Sequence, residues 1–509
     1  MMQTATEPGM TLSLARLKGV LLQCWQDLPL TQDDQDEALA VTLSTDSREI
    51  AEGDVFIAIP GVAGDGRAFV DQALAQGALM VLAEAKEDQP RIDGRVLWLP
   101  ELADRLGEFA RSVYQVPDSL ELIGVTGTNG KSSVTHYIAE LSAAIGVDCG
   151  VIGTLGHGRP GALAQGIHTT PQPLTLQRQL GELAASGLQR VAMEVSSHAL
   201  EQDRVAGCRF HAAVFTNLSR DHLDYHGSMV AYAAAKAKLF KRPELGLAVV
   251  NGDDPLARLM LAGVSRDTRV LACGEASDVS LRVLDVEPHA SGQRALIATP
   301  DEERVLQLPL LGRFNLDNVL LAMASLYGLG AGIDELVSAA ERLTPVPGRM
   351  QAILREHAPV VVIDYAHTPD ALENALAALK AHLPGRGKLW CLVGCGGDRD
   401  SGKRPLMAQV AARHAQAVVI TDDNPRSEDP AAIREAMLEG LTAEQRASAW
   451  NIAGRGVAIA RTVAEAGPDD VILVAGKGHE TYQEVLGVRH DFSDLDEAQA
   501  ALDQRPRRL

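Results

Sequence analysis

Short apolar runs recur along the chain, and each is followed by a turn and then by a stretch with amphipathic, helical spacing. Runs of this length between turn residues are typical of buried strands. Their alternation with helical patterns indicates an α/β fold with mainly parallel sheets. In such sheets, binding and catalytic groups follow the carboxyl ends of the strands. The runs lie at residues 122–125, 191–195, 213–216, 247–250, 360–363, 389–393, 417–420 and 471–474.

Two segments rich in proline and other turn residues divide the chain. Pro117-Asp118-Ser119 comes before the first of these runs, and Leu343-Thr344-Pro345-Val346-Pro347-Gly348 comes before the last third. Such clusters of proline and other turn residues mark linkers, and 509 residues exceed what one hydrophobic core supports. We therefore predict three domains, over residues 1–118, 119–346 and 347–509.

Composition and charge exclude several classes of protein. Lys and Arg total 47 against 67 Asp and Glu, a net charge of −20, which disfavours general nucleic-acid binding. Six scattered cysteines form no C-x-x-C pair, so neither a disulfide scaffold nor a zinc knuckle is expected. The N-terminus lacks a signal-peptide pattern, and the apolar stretch at residues 319–333 is too short to span a bilayer. We expect a cytoplasmic protein that needs neither membrane nor nucleic acid.

A glycine-rich turn follows the apolar run at residues 122–125. We call it the phosphate turn; it reads Gly127-Thr128-Asn129-Gly130-Lys131-Ser132-Ser133, with a helix predicted to begin near Lys131. Its glycines let backbone N–H groups approach phosphate, and the helix N-terminus adds partial positive charge. Lys131 would contact the β- and γ-phosphates and Ser132 would bind Mg²⁺. The alternative is an ordinary strand-to-helix turn, because the general G-x-x-x-x-G-K-[ST] pattern fails at Val125.

Nine separated blocks give the sequence a specific resemblance. Together they resemble the Mur ligase family, the ATP-dependent amino-acid-adding enzymes of peptidoglycan precursor synthesis, and most closely its diaminopimelate-adding branch. The blocks are Asp46-Ser47-Arg48 and residues 127–133, 193–198, 216–226, 312–318, 364–370, 394–400, 423–426 and 476–480.

The resemblance implies the architecture and the reaction. It implies a UDP-sugar-binding N-terminal domain, a central P-loop-type ATPase domain and a Rossmann-like, amino-acid-binding C-terminal domain. The implied reaction uses ATP to add meso-2,6-diaminopimelate to the D-glutamyl γ-carboxylate of UDP-N-acetylmuramoyl-L-alanyl-D-glutamate, through an acyl phosphate, releasing ADP and phosphate. All implied partners are small-molecule substrates, and we expect a monomer.

The resemblance also implies a magnesium site. Glu194 and His222 each follow or end an apolar run, and the family makes both of them metal ligands beside Ser132. From the residues alone, a turn or capping carboxylate and a hydrogen-bonded loop histidine remain open. Lys236, in an alanine-rich helical run, would by itself be a surface lysine, and an ammonium cannot bind Mg²⁺. The family carbamylates the matching lysine with CO₂, so we expect this modification at Lys236, with Lys238 as the unmodified comparison.

Further residues match nucleotide contacts of the family. Asn315 would bind adenine, although the start of an apolar helix leaves an N-cap role open. Arg349 and Asp364 match the positions that hold the γ-phosphate and the ribose, and Asp364 also ends an apolar run, which suits a ribose acceptor. His367 is a weaker candidate for the same site.

Other residues match contacts to the UDP-sugar peptide. Ser47 would contact the UDP-sugar beside Arg48, with a helix-capping serine as the local alternative. A planar guanidinium suits a carboxylate of the peptide. At residues 62–64 the chain lacks the polar side chains that some relatives carry, so any uridine contact there would come from backbone. The residues assigned to the muramoyl peptide are Thr169, Thr170, Ser196, Gln202 and Arg204.

The last assignment concerns the incoming amino acid. Asp423-Asn424-Pro425-Arg426, which we call the acceptor turn, marks the diaminopimelate-adding branch. An arginine beside a proline-stiffened turn can bind the distal carboxylate that distinguishes diaminopimelate from lysine. Arg399, Gly476 and Glu480 match the remaining contacts to the zwitterionic end, with a surface arginine as the alternative for Arg399.

Three competing functions stay open on the sequence. A lysine-adding relative is the nearest within the family. A folylpolyglutamate synthase-like ligase shares the phosphate turn and acyl-phosphate chemistry but has no use for Asp46-Ser47-Arg48 or the acceptor turn. A regulatory ATP-binding module would need only the phosphate turn.

Overall fold

The computed structural model describes residues 12–505 apart from Gln32, Val62, Ala63, Ile167 and Pro384. The expectation about uridine contacts at residues 62–64 therefore falls largely outside the described residues. Contact density divides the chain into two compact units, which are described one at a time. Unit 1 comprises Met1–Val250 and Asp254–Leu271, and unit 2 comprises Asn251–Asp253 and Ala272–Leu509. The three domain boundaries drawn from the sequence stay a prediction.

Helices and strands alternate along most of the chain. The helices are α1 Leu14–Cys24, α2 Val70–Ala75, α3 Leu102–Val113, α4 Lys131–Ala144, α5 Pro173–Ala185, α6 Ser197–Glu201, α7 Leu223–His226, α8 Met229–Ala237, α9 Ala257–Leu261, α10 Arg313–Gly328, α11 Ile333–Ala340, α12 Pro369–His382, α13 Lys403–His414, α14 Pro430–Leu438, α15 Ala443–Ser448, α16 Arg455–Glu465 and α17 Asp494–Asp503. Short 3-10 helices cover Asp34–Ala38, Ser47–Glu49, Gly66–Phe69 and Lys238–Lys241.

The strands are β1 Leu12–Ser13, β2 Ala40–Val41, β3 Leu43–Ser44, β4 Val55–Ala58, β5 Met80–Glu84, β6 Arg91–Asp93, β7 Val96–Leu99, β8 Glu121–Thr126, β9 Cys149–Gly153, β10 Gly156–Arg159, β11 Ala162–Ala164, β12 Arg190–Glu194, β13 Phe210–Phe215, β14 Leu247–Asn251, β15 Arg269–Gly274, β16 Leu281–His289, β17 Gly292–Ala298, β18 Glu303–Leu308, β19 Gln351–Ile353, β20 Val360–Asp364, β21 Leu389–Val393, β22 Ala417–Ile420, β23 Trp450–Asn451, β24 Val471–Ala475, β25 Tyr482–Val485 and β26 Val488–Asp491. Each of the eight apolar runs lies in a strand, apart from Val195 and Thr216, which come one residue after β12 and β13, so that part of the sequence interpretation is confirmed.

Unit 1 contains two mainly parallel sheets. The first has the order β3-β4-β5-β7-β6, and its pairs are parallel except β6 with β7. The second places β9, β12, β8, β13 and β14 side by side in parallel, with the antiparallel strands β10 and β11 beyond β9. Because β8 is central, its carboxyl end lies between the ends of β12 and β13, and the loops after these three strands meet there.

Unit 2 is built on a six-stranded sheet of order β19-β20-β24-β21-β22-β23, parallel except for β19. Successive residues of one strand enter opposite hydrophobic cores: Val362 packs on one face of the sheet, and Val361 and Ile363 pack on the other. A strand covered by helices on both faces must be apolar at every position, which explains the uninterrupted runs in the sequence. The same unit holds the antiparallel strands β16, β17 and β18.

The α/β class with mainly parallel sheets is thus confirmed. In the part of the chain that the structure describes, no helix is both long enough and apolar enough to cross a membrane.

Within unit 1, α3 approaches the loop after α6 so closely that only glycine fits. A Cβ at Gly107 would lie 2.2 Å from the carbonyl oxygen of Ala206, and one at Gly207 would lie 2.4 Å from the carbonyl oxygen of Gly107. Arg111 of α3 donates to the Gly207 carbonyl at 3.1 Å. Leu106 and Phe109 share a hydrophobic core with Leu174 of α5, so α3 is fixed against the segment that follows it.

Gly107→Ala should therefore destabilise the protein. In an exposed helix this change stabilises by about 1 kcal/mol, but here the new methyl group meets backbone, and overpacking of this kind costs about 1–3 kcal/mol. Urea unfolding should show a lower midpoint for Gly107→Ala and little change for Gly385→Ala, whose added Cβ meets nothing within 4 Å. A Gly107→Ala midpoint at or above that of the wild type would contradict this description of the contact.

Candidate active site

The phosphate turn joins β8 to α4, as the sequence predicts. Helix α4 begins at Lys131, and Gly130, with φ of +89°, is its N-cap. Gly127 has φ of +151°, and a Cβ there would lie 1.9 Å from the hydroxyl of Thr216. The two glycines are therefore required by backbone conformation and by close packing.

Thr216 and Asn217, which follow β13, hold the phosphate turn in shape. The amide oxygen of Asn217 accepts from the backbone N–H of Asn129 at 3.0 Å, and its amide nitrogen donates to the Asn129 carbonyl at 3.0 Å. The hydroxyl of Thr216 donates to the same carbonyl at 2.6 Å. Both residues open the sequence block 216–226, but the sequence alone gives them no role. Their position directly after β13, the strand next to β8, could have indicated that they lie beside the phosphate turn.

Two lysines converge on the Gly127 carbonyl. Lys131 donates from Nζ to the carbonyl oxygens of Gly127 at 3.0 Å and Thr128 at 2.9 Å. Lys236 of α8 donates to the Gly127 carbonyl at 2.8 Å, and its Nζ lies 4.5 Å from the centre of the Tyr232 ring. Helix α8 is rich in alanine and is capped by Ser228, whose hydroxyl accepts from the N–H of Ala231, so the local sequence explains its formation.

Lys236 is buried, with 1% of its surface exposed, so the interpretation as a surface lysine is wrong. Burial, and next the positive charge of Lys131, hold the pKa of Lys236 well below its ordinary value. The side chain of Lys238, two residues along, is 46% exposed and pairs with Glu201 at 3.3 Å. The two lysines thus differ chemically, and Lys236 is the one in which a neutral, nucleophilic amine is favoured.

Glu194 ends β12 beside the phosphate turn and is 1% exposed. One carboxylate oxygen accepts from the Ser132 hydroxyl at 2.8 Å and from the N–H of Thr154 at 2.9 Å. The other accepts from the Thr154 hydroxyl at 3.3 Å. The side chain therefore caps no helix. A buried carboxylate beside a hydroxyl oxygen offers the hard oxygen donors that Mg²⁺ prefers, so Ser132 and Glu194 fit a magnesium site.

His222 lies near this cluster without joining it directly. Its φ is +51°, it is the N-cap of α7, and its Nε2 lies 3.3 Å from a carboxylate oxygen of Asp221. The His222 ring lies 6.1 Å from the ring of Tyr232, whose hydroxyl is 3.2 Å from that of Thr128. Over the described residues, no three His, Cys, Asp or Glu side chains are grouped closely enough to hold a metal by themselves.

The residues assigned to the muramoyl peptide form one connected group in unit 1. The Thr170 hydroxyl donates to the Glu194 carbonyl at 2.9 Å and accepts from the N–H of Ser196 at 3.0 Å. Arg204 donates to the Thr170 carbonyl at 3.2 Å and, from Nε and Nη2, to the side-chain oxygen of Gln202. The Thr169 hydroxyl lies 3.0 Å from that of Thr154. Hydrogen bonds therefore connect this group of residues to Glu194 and to its partner Thr154.

Ser47 and Arg48 lie in the 3-10 helix after β3. The cap of this helix is Asp46, not Ser47, so the capping alternative for Ser47 is wrong. Ser47 is buried, whereas Arg48 is exposed and is held by a two-pronged ion pair with Asp46.

Unit 2 carries the other predicted nucleotide contacts. Asn315 lies in the first turn of α10, whose N-cap is Gly312, so the N-cap alternative is wrong; its amide donates to the Leu311 carbonyl at 2.8 Å. Asp364, at the end of β20, accepts from the N–H groups of Met350 and Ala366, both at 2.8 Å. Burial raises the pKa of Asp364, and the charge of Arg349 opposes that shift.

The Arg349 guanidinium lies 4.8 Å from the centre of the Tyr365 ring. Its Nε is buried and has no hydrogen-bond partner among the described residues. A buried, unpartnered guanidinium nitrogen fits an anion-binding role. His367, by contrast, lies exposed at the surface, with Nδ1 2.9 Å from the Tyr365 carbonyl.

The acceptor turn follows β22 and is fixed on two sides. Arg426 has φ of +51°; its N–H donates to the Glu484 carbonyl at 3.0 Å, and its carbonyl accepts from the N–H of Leu486 at 2.6 Å. The guanidinium donates to the Gly397 carbonyl at 2.7 Å. A Cβ at Gly397 would lie 2.0 Å from the Pro425 carbonyl oxygen. The hairpin of β25 and β26 and the loop after β21 therefore set the direction of Arg426.

The remaining acceptor residues surround this turn. A Cβ at Gly476 would lie 2.5 Å from a carboxylate oxygen of Asp423. The amide of Asn424 donates to the Glu480 carboxylate at 2.8 Å. Arg399 is exposed on the loop that carries Gly397, and within the described part of the chain no hydrogen bond or ion pair joins it to the acceptor turn.

A buried ion pair, which the sequence analysis missed, supports both loops from behind. Arg455 and Asp494 are fully buried and joined at 2.6 and 2.7 Å. Arg455 also donates to the carbonyls of Ala475 at 2.9 Å and Asp422 at 3.3 Å. These residues directly precede Gly476 and Asp423, so the pair fixes the starts of both loops.

Comparisons with known proteins agree with this arrangement. The Mur ligase family catalytic domain matches residues 41–114, the Mur ligase middle domain matches 125–326, and the Mur ligase glutamate ligase domain matches 348–478. A relative from Ectopseudomonas mendocina (strain ymp), named UDP-N-acetylmuramoyl-L-alanyl-D-glutamate–2,6-diaminopimelate ligase, is 50% identical over 465 residues. The match covers 90% of this chain and 94% of the relative.

Solved structures with similar folds are also known. A structure of a UDP-N-acetylmuramoyl-L-alanyl-D-glutamate–2,6-diaminopimelate ligase has a TM-score of 0.69 and 38% identity, covering 97% of this chain and 99% of that one. Folylpolyglutamate synthase of Mycobacterium tuberculosis, solved with ADP and AMPPCP, has a TM-score of 0.57 at 21% identity over 74% of this chain and 91% of that one. This second likeness shows the fold alone. Family models and relatives together place the chain in the Mur ligase family.

Proposed function

We propose that the chain is the ATP-dependent ligase that adds meso-2,6-diaminopimelate to UDP-N-acetylmuramoyl-L-alanyl-D-glutamate in peptidoglycan precursor synthesis. Relatives about 50% identical over most of the chain carry that name. The observation that supports this acceptor best is the fixed Arg426 guanidinium, held at 2.7 Å from the Gly397 carbonyl. A lysine-adding ligase would not need this guanidinium, because lysine lacks the distal carboxylate.

The reaction needs an activated acid. The γ-phosphoryl group of ATP passes to an oxygen of the D-glutamyl γ-carboxylate, which gives an acyl phosphate and ADP. The amine of diaminopimelate then attacks the carbonyl carbon, a proton leaves the nitrogen, and phosphate departs as the amide forms. This chemistry depends mainly on positioning and charge stabilisation. The cations and N–H groups of the phosphate turn would supply both to the phosphates of ATP.

In unit 1, the phosphate turn binds the triphosphate through its backbone N–H groups and Lys131. Lys131 is already held beside the turn by two carbonyl oxygens. Ser132, Glu194 and His222 would hold Mg²⁺, which supplies positive charge to the phosphates when it is bound. The family uses ATP and magnesium, and the donor set of Ser132 and Glu194 fits that metal.

The carbamate at Lys236 is a separate part of the proposal. Carbamylation is the attack of a neutral amine on CO₂, which forms a C–N bond and releases one proton. The lowered pKa of Lys236 favours that neutral amine, and the product would be an anionic oxygen ligand for the magnesium ion.

In unit 2, Asn315, Arg349 and Asp364 bind the adenine, the γ-phosphate and the ribose. Support for Arg349 comes from its buried Nε, for which the part of the chain that the structure describes supplies no hydrogen-bond partner. In unit 1, the UDP-sugar contacts Ser47, and the peptide contacts Thr169, Thr170, Ser196, Gln202 and Arg204. We further propose that the chain works as a monomer in the cytoplasm, on small molecules alone.

The acceptor turn and its neighbours bind the distal end of diaminopimelate. Arg426 pairs with the distal carboxylate, while Glu480 accepts from the distal ammonium. Asp423, Asn424, Pro425, Gly476 and Arg399 complete the site. The strongest contact should be the two-pronged pairing of Arg426, since such pairs are both short and directional.

Arg426→Ala should raise KM for meso-diaminopimelate about 100-fold, because a charge-assisted pair of this kind contributes roughly 3 kcal/mol. KM for ATP and for the UDP-sugar peptide should change less than about twofold. Steady-state kinetics with each substrate varied in turn is the measurement. Arg446→Ala, which removes an exposed arginine of the same unit that is paired with Glu435, is the matched control. An unchanged KM for meso-diaminopimelate in Arg426→Ala would refute the acceptor assignment.

Carbamylation should be visible by ¹³C NMR. Protein equilibrated with ¹³C-bicarbonate should show one carbamate carbon resonance that Lys236→Arg abolishes and Lys238→Arg retains. The Lys236→Arg protein should also lose at least about 100-fold in ligase activity, because a cation replaces an anionic metal ligand. A resonance that persists in Lys236→Arg would place the modification elsewhere.

A further inference from the structure

Lys477 is a fully buried cation beside the acceptor turn. It lies between Gly476 and Gly478, directly after β24, and its side chain is 0% exposed. Removing an ammonium from water costs several kcal/mol unless nearby groups compensate for the lost hydration. A lysine in this position therefore has to be explained by the groups that it contacts.

Those groups are two side chains already assigned to the acceptor site. Nζ of Lys477 donates to the side-chain oxygen of Asn424 at 3.0 Å and to Oε2 of Glu480 at 3.0 Å. The Asn424 amide nitrogen donates to the same Oε2 at 2.8 Å. Lys477, Asn424 and Glu480 thus form a closed triangle in which each member bonds to the other two.

The triangle fixes two orientations at once. The side-chain oxygen of Asn424 also accepts from the N–H of Glu484 at 3.0 Å, so its amide can face only one way. Both bonds to Glu480 end on Oε2, and the described residues supply no hydrogen-bond partner for Oε1. The carboxylate is therefore anchored by one oxygen and presents the other.

From this geometry we infer that Lys477 is a positioning residue for recognition of the acceptor amino acid, acting through Glu480 and Asn424. The inference rests on the proposed function and deepens it. Arg426 would bind the distal carboxylate and Glu480 would bind the distal ammonium. Together the two side chains would therefore select the configuration of the distal carbon. Exchanging these two groups on that carbon, as in the L,L isomer, would place each beside the wrong partner.

A purely structural buried cation in the same unit has different contacts. Arg455 binds the carboxylate of Asp494 and two backbone carbonyls, and it bonds to no side chain assigned to the acceptor site. Lys477 instead bonds to two such side chains. This contrast separates a residue that supports the fold from one that orients ligand-binding groups.

Lys477→Met is the test, because it keeps an unbranched chain of similar length and removes the charge. We expect KM for meso-diaminopimelate to rise about tenfold or more, with KM for ATP and the UDP-sugar peptide within about twofold of wild type. The preference for meso- over L,L-diaminopimelate in kcat/KM should fall about tenfold. Both readouts are independent of the fraction of folded enzyme. Lys388→Met, the same change at an exposed lysine that precedes β21, is the matched control.

A second comparison isolates the route through Glu480. Combining Lys477→Met with Glu480→Gln should reduce the isomer preference no further than Glu480→Gln alone, since both changes remove the same oriented carboxylate. Should Lys477→Met not accumulate as folded protein, Lys477→Gln carries the same test, because its amide has no charge with which to hold Glu480.

Folded Lys477→Met with unchanged KM and unchanged isomer preference would overturn the inference. So would an equal loss with both isomers, or an equal rise in KM for ATP, because either points to general disruption. Wild-type protein inactive with meso-diaminopimelate would instead refute the proposed function, and the role of Lys477 with it. The two failures are therefore distinguishable.

Discussion

The burial of the Lys236 amine against the Gly127 carbonyl is the constraint on which the arrangement of charges at the phosphate turn depends. It ties α8 to the phosphate turn at 2.8 Å and brings a second amine beside Lys131. Burial, and next the positive charge of Lys131, lower the pKa of Lys236. The neutral amine is thus favoured at Lys236, and Lys131 is the cation that we propose for phosphate binding.

The proposed acceptor site of unit 2 also contains a buried lysine, but its charge is compensated differently. Lys477 is as deeply buried as Lys236, but a carboxylate lies 3.0 Å from it. The neighbouring pair of Arg455 and Asp494 holds the starts of the same two loops through backbone carbonyls. Interior charges therefore hold the loops after β22 and β24 at fixed positions, and a rigid site of this kind suits discrimination between amino acids that differ by one charged group.

Much of the fold could be predicted from the sequence, because strands buried on both faces are apolar without interruption. The start of α4 at Lys131 was also predictable from the glycine and lysine spacing. Lys236 was not predictable: its local run is that of an exposed helix, and its printed partner in the phosphate turn lies 109 residues away in the sequence. Asn217, Thr154, Lys477 and Arg455 could not be given a role for the same reason, because each bonds to a partner more than 30 residues away.

The most direct test of the account is ADP release by the wild-type protein with ATP, Mg²⁺ and UDP-N-acetylmuramoyl-L-alanyl-D-glutamate, compared across three amino acids at equal concentration. ADP should form with meso-diaminopimelate, and at least about 100-fold more slowly with L-lysine or L-glutamate, because lysine lacks the distal carboxylate and glutamate lacks the distal ammonium. Equal rates with L-lysine, or ADP release that depends on L-glutamate instead, would contradict the account.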